Sequence, residues 1–180
     1  MPHAVARWCA WDGSGLEETK VRYDESGWTA KGDIAPGPGE RPWCRYEVKA
    51  DARGHTRSVD LSLADGRRLR LDSDGEGTWT RDGQPAPELQ GALDVDLSGT
   101  PLTNTLPIVR LGLKVGDRAR IACAFVDLPS LAVSLEHQRY TRLSERRYHF
   151  ESAAHGFARD IEVDGDALVV SYPGLFRRVG

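Results

Sequence analysis

Near the middle of this 180-residue chain two carboxylates recur two positions apart, Asp94 and Asp96, in the stretch Leu93-Asp94-Val95-Asp96-Leu97-Ser98. In an extended chain that spacing puts both on one face, with Leu93, Val95 and Leu97 on the other. A pair so placed can ligate a hard cation or divide acid and base roles. It can equally accept hydrogen bonds from backbone amides or from arginines such as Arg110 and Arg139. A hard cation takes about six or more oxygens, and no further acidic cluster lies nearby in sequence. The pair therefore reads as structural, and no metal site is assigned.

A second polar set, Gln138, Arg139, Tyr140 and Arg142, falls in one long alternating run. Period two puts Gln138, Tyr140 and Arg142 on one face and Arg139, Thr141 and Leu143 on the other. An arginine and a tyrosine facing a hollow can hold a sugar or phosphate head group while apolar residues hold a tail. The competing reading is an arginine buried against Asp94 or Asp96. Ser98 lacks the G-x-S-x-G turn of a hydrolase nucleophile, and His3, His55, His137, His149 and His155 have no triad-like neighbours in sequence. Cys9, Cys44 and Cys123 are odd in number, with no CxxC pair and no matching histidine spacing. No catalytic residue and no cofactor follow, and the three thiols read as reduced.

The elements that must position these groups are strands. Alternation predicts them over 16–23, 28–34, 43–48, 56–63, 68–71, 77–81, 93–97, 119–126, 131–143, 147–152, 157–163, 168–172 and 175–179, separated by Asp-Gly and other glycine turns. The exception is the segment from Thr100 to Gly112. Its two prolines, its threonines and asparagine, and its closing glycine predict one or two helical turns carrying Leu106, Ile108 and Leu111 inward. The turn Tyr172-Pro173-Gly174-Leu175-Phe176-Arg177 reverses the chain, and its aromatics read as core. A dozen or so short strands must close or curl, because a flat sheet of that size is unusual. The fold class is mainly β: a single domain over 1–180, antiparallel and strongly curved, with short helical turns near its centre.

Composition narrows the function classes. Hydrophobic residues make up 39%, charged residues 28%, and the formal charge is −3, which exerts no general pull toward nucleic acid or anionic surfaces. No apolar run reaches signal-peptide length or the roughly 18 residues of a membrane span, so a cytoplasmic protein with no integral membrane segment is expected. Shifting the chain by 102 residues superposes Arg45-Tyr46 on Arg147-Tyr148, and Arg57-x-Val59-Asp60-Leu61 on Arg159-x-Ile161-Glu162-Val163. Either the fold is an internally duplicated meander or strands of similar composition coincide.

The run from Asp94 to Leu111, DVDLSGTPLTNTLPIVRL, resembles the longest common block of a bacterial family described as "putative glycolipid-binding", once a domain of unknown function. Further matches lie at Gln138-Arg139-Tyr140-Thr141, at Tyr148 and at Tyr172-Pro173-Gly174-Leu175-Phe176-Arg177-Arg178. The resemblance implies a half-barrel, like that of lipoprotein carriers, curved around an apolar hollow. With only 4 Phe and 1 Met to fill such a hollow, the leading expectation is non-catalytic binding of a lipid-like or glycolipid amphiphile, with the 100–112 segment as a lid. The ligand-binding candidates are Leu102, Asn104, Thr105, Leu106, Ile108, Arg110, Gln138, Arg139, Tyr140 and Arg142. The alternatives are a small enzyme acting on an apolar metabolite and an interaction module whose core is filled by its own side chains.

Overall fold

The computed structural model describes residues 3–154 and 156–180, with His3 described by its backbone alone. The readings of His155 and of the His3 side chain fall outside that range. The strands are β1 His3–Ala10, β2 Leu16–Asp24, β3 Gly27–Ala35, β4 Cys44–Asp51, β5 Thr56–Leu63, β6 Arg68–Ser73, β7 Trp79–Arg81 and β8 Gln84–Pro85, then β9 Asp94–Leu97, β10 Arg118–Val126, β11 Val133–Ser144, β12 Arg147–Ser152, β13 Phe157–Val163, β14 Val169–Tyr172 and β15 Phe176–Arg178. A 3-10 turn, Pro87–Leu89, lies between β8 and β9. A second, Leu102–Asn104, runs into helix α1, Thr105–Leu111. Among the described residues no helix is long and apolar enough to cross a membrane.

All fifteen strands belong to one sheet, in the order 8-7-6-5-4-3-2-1-15-14-13-12-11-10-9. The chain ends therefore meet at the sheet's centre, and both edges, β8 and β9, come from the chain's middle. A flat sheet with fourteen gaps would be about 67 Å across. The link from Pro85 to Asp94 spans at most about 31 Å when extended, so the sheet must roll. It does so without closing: the start of β9 is tied to β5 by Thr56 N–H to Leu93 O at 2.9 Å and Val95 N–H to Thr56 Oγ1 at 3.1 Å.

Most predicted strands are present, and the two stretches matched by the 102-residue shift are hairpins, β4–β5 and β12–β13. Two expectations are corrected, and one strand was not predicted. The tryptophan-rich start, for which no element was assigned, is a strand, β1, which buries Ala6 and Trp8 and turns Val5 and Arg7 outward; small residues hid its alternation. β9 pairs with β10 in parallel, whereas the sheet had been read as antiparallel. The long run begins at Val133 because Leu131, at φ +61°, closes a turn in which its N–H reaches Asp127 O.

The core has two parts. The concave side of β1–β7 holds Trp8, Trp28, Trp79, Val48, Leu61 and Leu71, packed against Leu89, Val95, Leu97, Leu102 and Leu106 from the chain's middle. The β10–β14 side holds Ile121, Tyr140, Phe150, Ile161 and Tyr172, packed against Ile108 and Leu111 of α1. The central segment thus sends Leu102 and Leu106 one way and Ile108 the other. Helical spacing of four residues keeps Leu102 and Leu106 on one face. Gly112, at φ +52°, ends the helix in the left-handed region, as its sequence position implied. The reading of 100–112 as a lid over an open hollow is corrected: Leu102 and Leu106 have no exposed surface and fill the first concavity themselves.

Candidate functional site

Beside the 96–104 segment, on the second half-sheet, a cleft of about 280 Å³ opens. Its wall is aromatic. Phe150 is the hub, with ring centroids 5.2 Å from Tyr140, 6.2 Å from Phe157 and 6.1 Å from Tyr172, and Tyr172 lies 6.4 Å from Phe176. These edge-to-face contacts rigidify the wall. Arg159, 4.8 Å above the Phe157 ring, pins its outer member. Phe125 of β10 and Leu175 of the β14–β15 turn complete the apolar lining.

The cleft floor is polar, and it is built by the inward face of β11 together with β9 and the turn that follows. Glu136 and Gln138 are buried on that face, Gln138 donating to Asp96 at 2.5 Å. Asp96 also accepts from Thr103 Oγ1 at 3.0 Å. Asn104 donates from Nδ2 to the Tyr140 hydroxyl at 2.8 Å, and burial pushes that phenol's pKa well up. Ser98 Oγ accepts the Leu128 N–H at 2.9 Å, so its hydroxyl has a structural engagement.

Of the sequence candidates, Asn104, Gln138 and Asp96 line the cleft and Tyr140 backs it. The others do not come together there. Leu102, Leu106 and Ile108 are core residues, and the Thr105 hydroxyl donates to Ala167 O at 3.0 Å. Arg110 grips Asp94 through both Nε, at 3.1 Å, and Nη2. This bidentate pair is nearly sealed from solvent, Asp94 at 1% and Arg110 at 13% side-chain exposure, and Arg110 packs where a Cβ on Gly54 would come within 3.1 Å. Burial raises the Asp94 pKa, opposed by the guanidinium. Asp94 and Asp96 thus form the structural pair read from the sequence only in part: Asp94 anchors an arginine, and Asp96 faces the cleft. Arg139 lies on the opposite face of β11, where it meets Glu151 at 3.2 Å. Arg142 binds the carbonyls of Leu113 and Glu145 around the β11–β12 turn.

Sequence reasoning missed the aromatic wall, Glu136, and a buried cluster next to the cleft. Glu17 of β2 is 3% exposed. Its Oε1 accepts from Thr19 at 2.6 Å, from Thr100 at 2.7 Å and from the Tyr46 hydroxyl, while Oε2 has no partner among the described residues. Desolvation lifts its pKa from 4.5 to about 7 against those three hydroxyl donors. Tyr46 reaches Glu17 by lying across Gly32, where a Cβ would be 2.2 Å from the ring. Thr100 lines the cleft, so this cluster supports its floor. The available signal was a lone glutamate at an inward position of β2.

A larger depression, about 680 Å³, lies over β2–β6. Its charges pair among themselves, Lys31 with Glu47 at 2.5 Å, Arg45 with Asp33 at 3.2 Å and Arg70 with Asp60 at 2.8 Å. That is a solvated face, and the smaller aromatic cleft is the better site. Among the described residues no three His, Cys, Asp or Glu side chains are grouped to hold a metal.

Residues 5–178 match the profile of a family described as "Putative glycolipid-binding". The chain belongs to this family. A crystal structure of a DUF1089 family protein from Pseudomonas aeruginosa superposes with a TM-score of 0.76 at 33% identity, over 91% of this chain and 92% of that one. No curated protein matches the sequence.

Proposed function

We propose that the chain, acting as one domain, binds a lipid-like or glycolipid amphiphile in the cleft between the 96–104 segment and strands β10–β15. The observation that carries this reading is the lining itself: a continuous aromatic wall, Phe150, Phe157, Tyr172 and Phe176, facing a floor of Asp96, Asn104 and Gln138. Aromatic faces give large apolar contact at small entropic cost. Carboxylate and amide groups on the floor accept from and donate to hydroxyls. A ligand with an apolar part and a hydroxylated part fits both surfaces at once. Ligand sites usually enclose about 300–1,000 Å³, so a cleft of about 280 Å³ takes one end of an amphiphile and leaves the remainder outside.

The family description supports this reading. Dodecyl maltoside, kept below its critical micelle concentration, should displace a fluorescent fatty acid from the protein. Leu175→Asp sets a charge in the apolar wall at a residue already 38% exposed. It should weaken that displacement without lowering the melting temperature. Absence of displacement from the wild type, or binding by Leu175→Asp at wild-type strength, would overturn the assignment to this cleft.

A further inference from the structure

On the outer face of the second half-sheet a depression of about 290 Å³ abuts the cleft, sharing Gln138, Ser152 and Phe157 with it. Arg120, His137, Arg139 and Glu151 also line it. A contiguous hollow of about 270 Å³ is lined by Arg118, Ala119, Arg120 and Arg139. Three arginines therefore line adjoining hollows next to an aromatic cleft, in a protein whose net charge is −3.

The arrangement is costly without an anion. In the β10–β11 ladder Arg120 stands directly opposite Arg139, and like charges facing across an antiparallel pair destabilise it. Glu151 answers Arg139 at 3.2 Å, yet it is shared with no other cation, and Arg118 and Arg120 have no ion pair with any described residue. A plain edge-protecting role is the competing explanation, since β9 covers only Cys123–Val126 and leaves the first half of β10 open. Edge protection needs a charge of either sign, whereas anion binding needs a positive one.

We infer that Arg118, Arg120 and Arg139 form an anion subsite of the cleft and hold a phosphate-type head group of the bound amphiphile. The inference rests on the binding reading above and adds the head-group class. Guanidinium forks match phosphate oxygens in pairs, which lysines would not do. The anion sits on the outer side of β11, with Gln138 between it and the carboxylates of Asp96 and Glu136 on the inner side.

The test compares dodecyl phosphate, dodecyl maltoside and inorganic phosphate by titration calorimetry below micelle concentrations. Wild type should bind dodecyl phosphate about tenfold or more tightly than dodecyl maltoside, the scale of one charge-assisted contact. Arg120→Glu keeps a charge on the open edge and gives Arg139 a cross-strand partner, so its melting temperature should hold. Its affinity for dodecyl phosphate should fall by about tenfold or more while dodecyl maltoside stays within about twofold. Equal binding of the two amphiphiles by wild type, or a preference surviving in Arg120→Glu, overturns this inference and leaves the amphiphile reading intact. Inorganic phosphate binding as tightly as dodecyl phosphate also overturns it, by separating the anion from the cleft. Binding of neither amphiphile brings down the cleft reading and this inference together.

Discussion

The two halves of the sheet curve alike but are filled differently. The concave side of β1–β7 receives Leu89, Val95, Leu97, Leu102 and Leu106 from the chain's middle, all at 0–1% exposure, and becomes a solid core. The β10–β15 side receives chiefly Ile108 and Leu111, and its own aromatics are left walling a cleft. One segment, residues 89–111, thus decides which concavity is structure and which is site. Its orientation is fixed by the Asp94–Arg110 pair and by Thr100 on buried Glu17.

The difference is most severely tested by Leu106. A charge there has no solvent to reach, so Leu106→Arg should fail to fold, and Leu106→Ala should lose about 2–5 kcal/mol in chemical denaturation. If the halves divide labour as described, the folded fraction of Leu106→Ala still binds dodecyl maltoside at wild-type strength. A selective loss of binding would return Leu106 to the ligand site.

Next in size is the clamp that aims the segment. Asp94→Ala leaves the Arg110 guanidinium buried without its counter-ion and should cost about 3–5 kcal/mol. Removing both partners should cost less than the sum of the single losses, because the stranded charge is gone. Additive losses in that double-mutant cycle would mean the two side chains do not act as a pair.

Glu17 makes the first half sensitive to pH. Its pKa is raised from 4.5 to about 7 on folding, so the folded state favours the neutral acid. The destabilisation begins as pH rises above 4.5 and is complete above about 7, where it amounts to roughly 3 kcal/mol. Glu17→Gln should flatten that part of the stability–pH profile and be the more stable protein at pH 8. Parallel profiles for the two proteins between pH 4.5 and 8 would show that the carboxyl is already solvated.

Much of the fold was legible because alternation is local: the boundaries of β5, β12 and β13 and the glycine ending α1 follow from side-chain period and backbone freedom alone. Curvature was legible only as a requirement. Which half would be filled depends on Leu102 and Leu106 pointing away from Ile108, and on β8 and β9 being the two edges, neither of which a linear pattern encodes. The site divides in the same way. Asn104, Gln138 and Asp96 stood out by type, whereas Phe150, Phe157, Tyr172 and Phe176 come from four strands brought side by side by the sheet order. The face of β11 was read as two possibilities. It resolves with Glu136, Gln138 and Tyr140 inward, because Val133 and Leu135 pack against the first core from the other side.

The smallest expected change separates site from core within the second half. Phe157 is half-buried at the cleft's outer wall, touching Phe150 edge-on and Tyr172 at a tilt under Arg159. Truncation there removes an aromatic contact worth about 0.5–1.5 kcal/mol, and the exposed position lets solvent enter without forming a sealed void. Phe157→Ala should therefore melt close to wild type. The same ring is shared between the cleft and the outer arginine hollow, so its loss should weaken dodecyl maltoside and dodecyl phosphate alike, by about three- to tenfold. Phe150→Ala, at 4% exposure and the hub of the cluster, should instead cost about 3–5 kcal/mol of stability. Were the two variants to melt alike and bind alike, the wall would be ordinary core, and the second half would differ from the first only in degree.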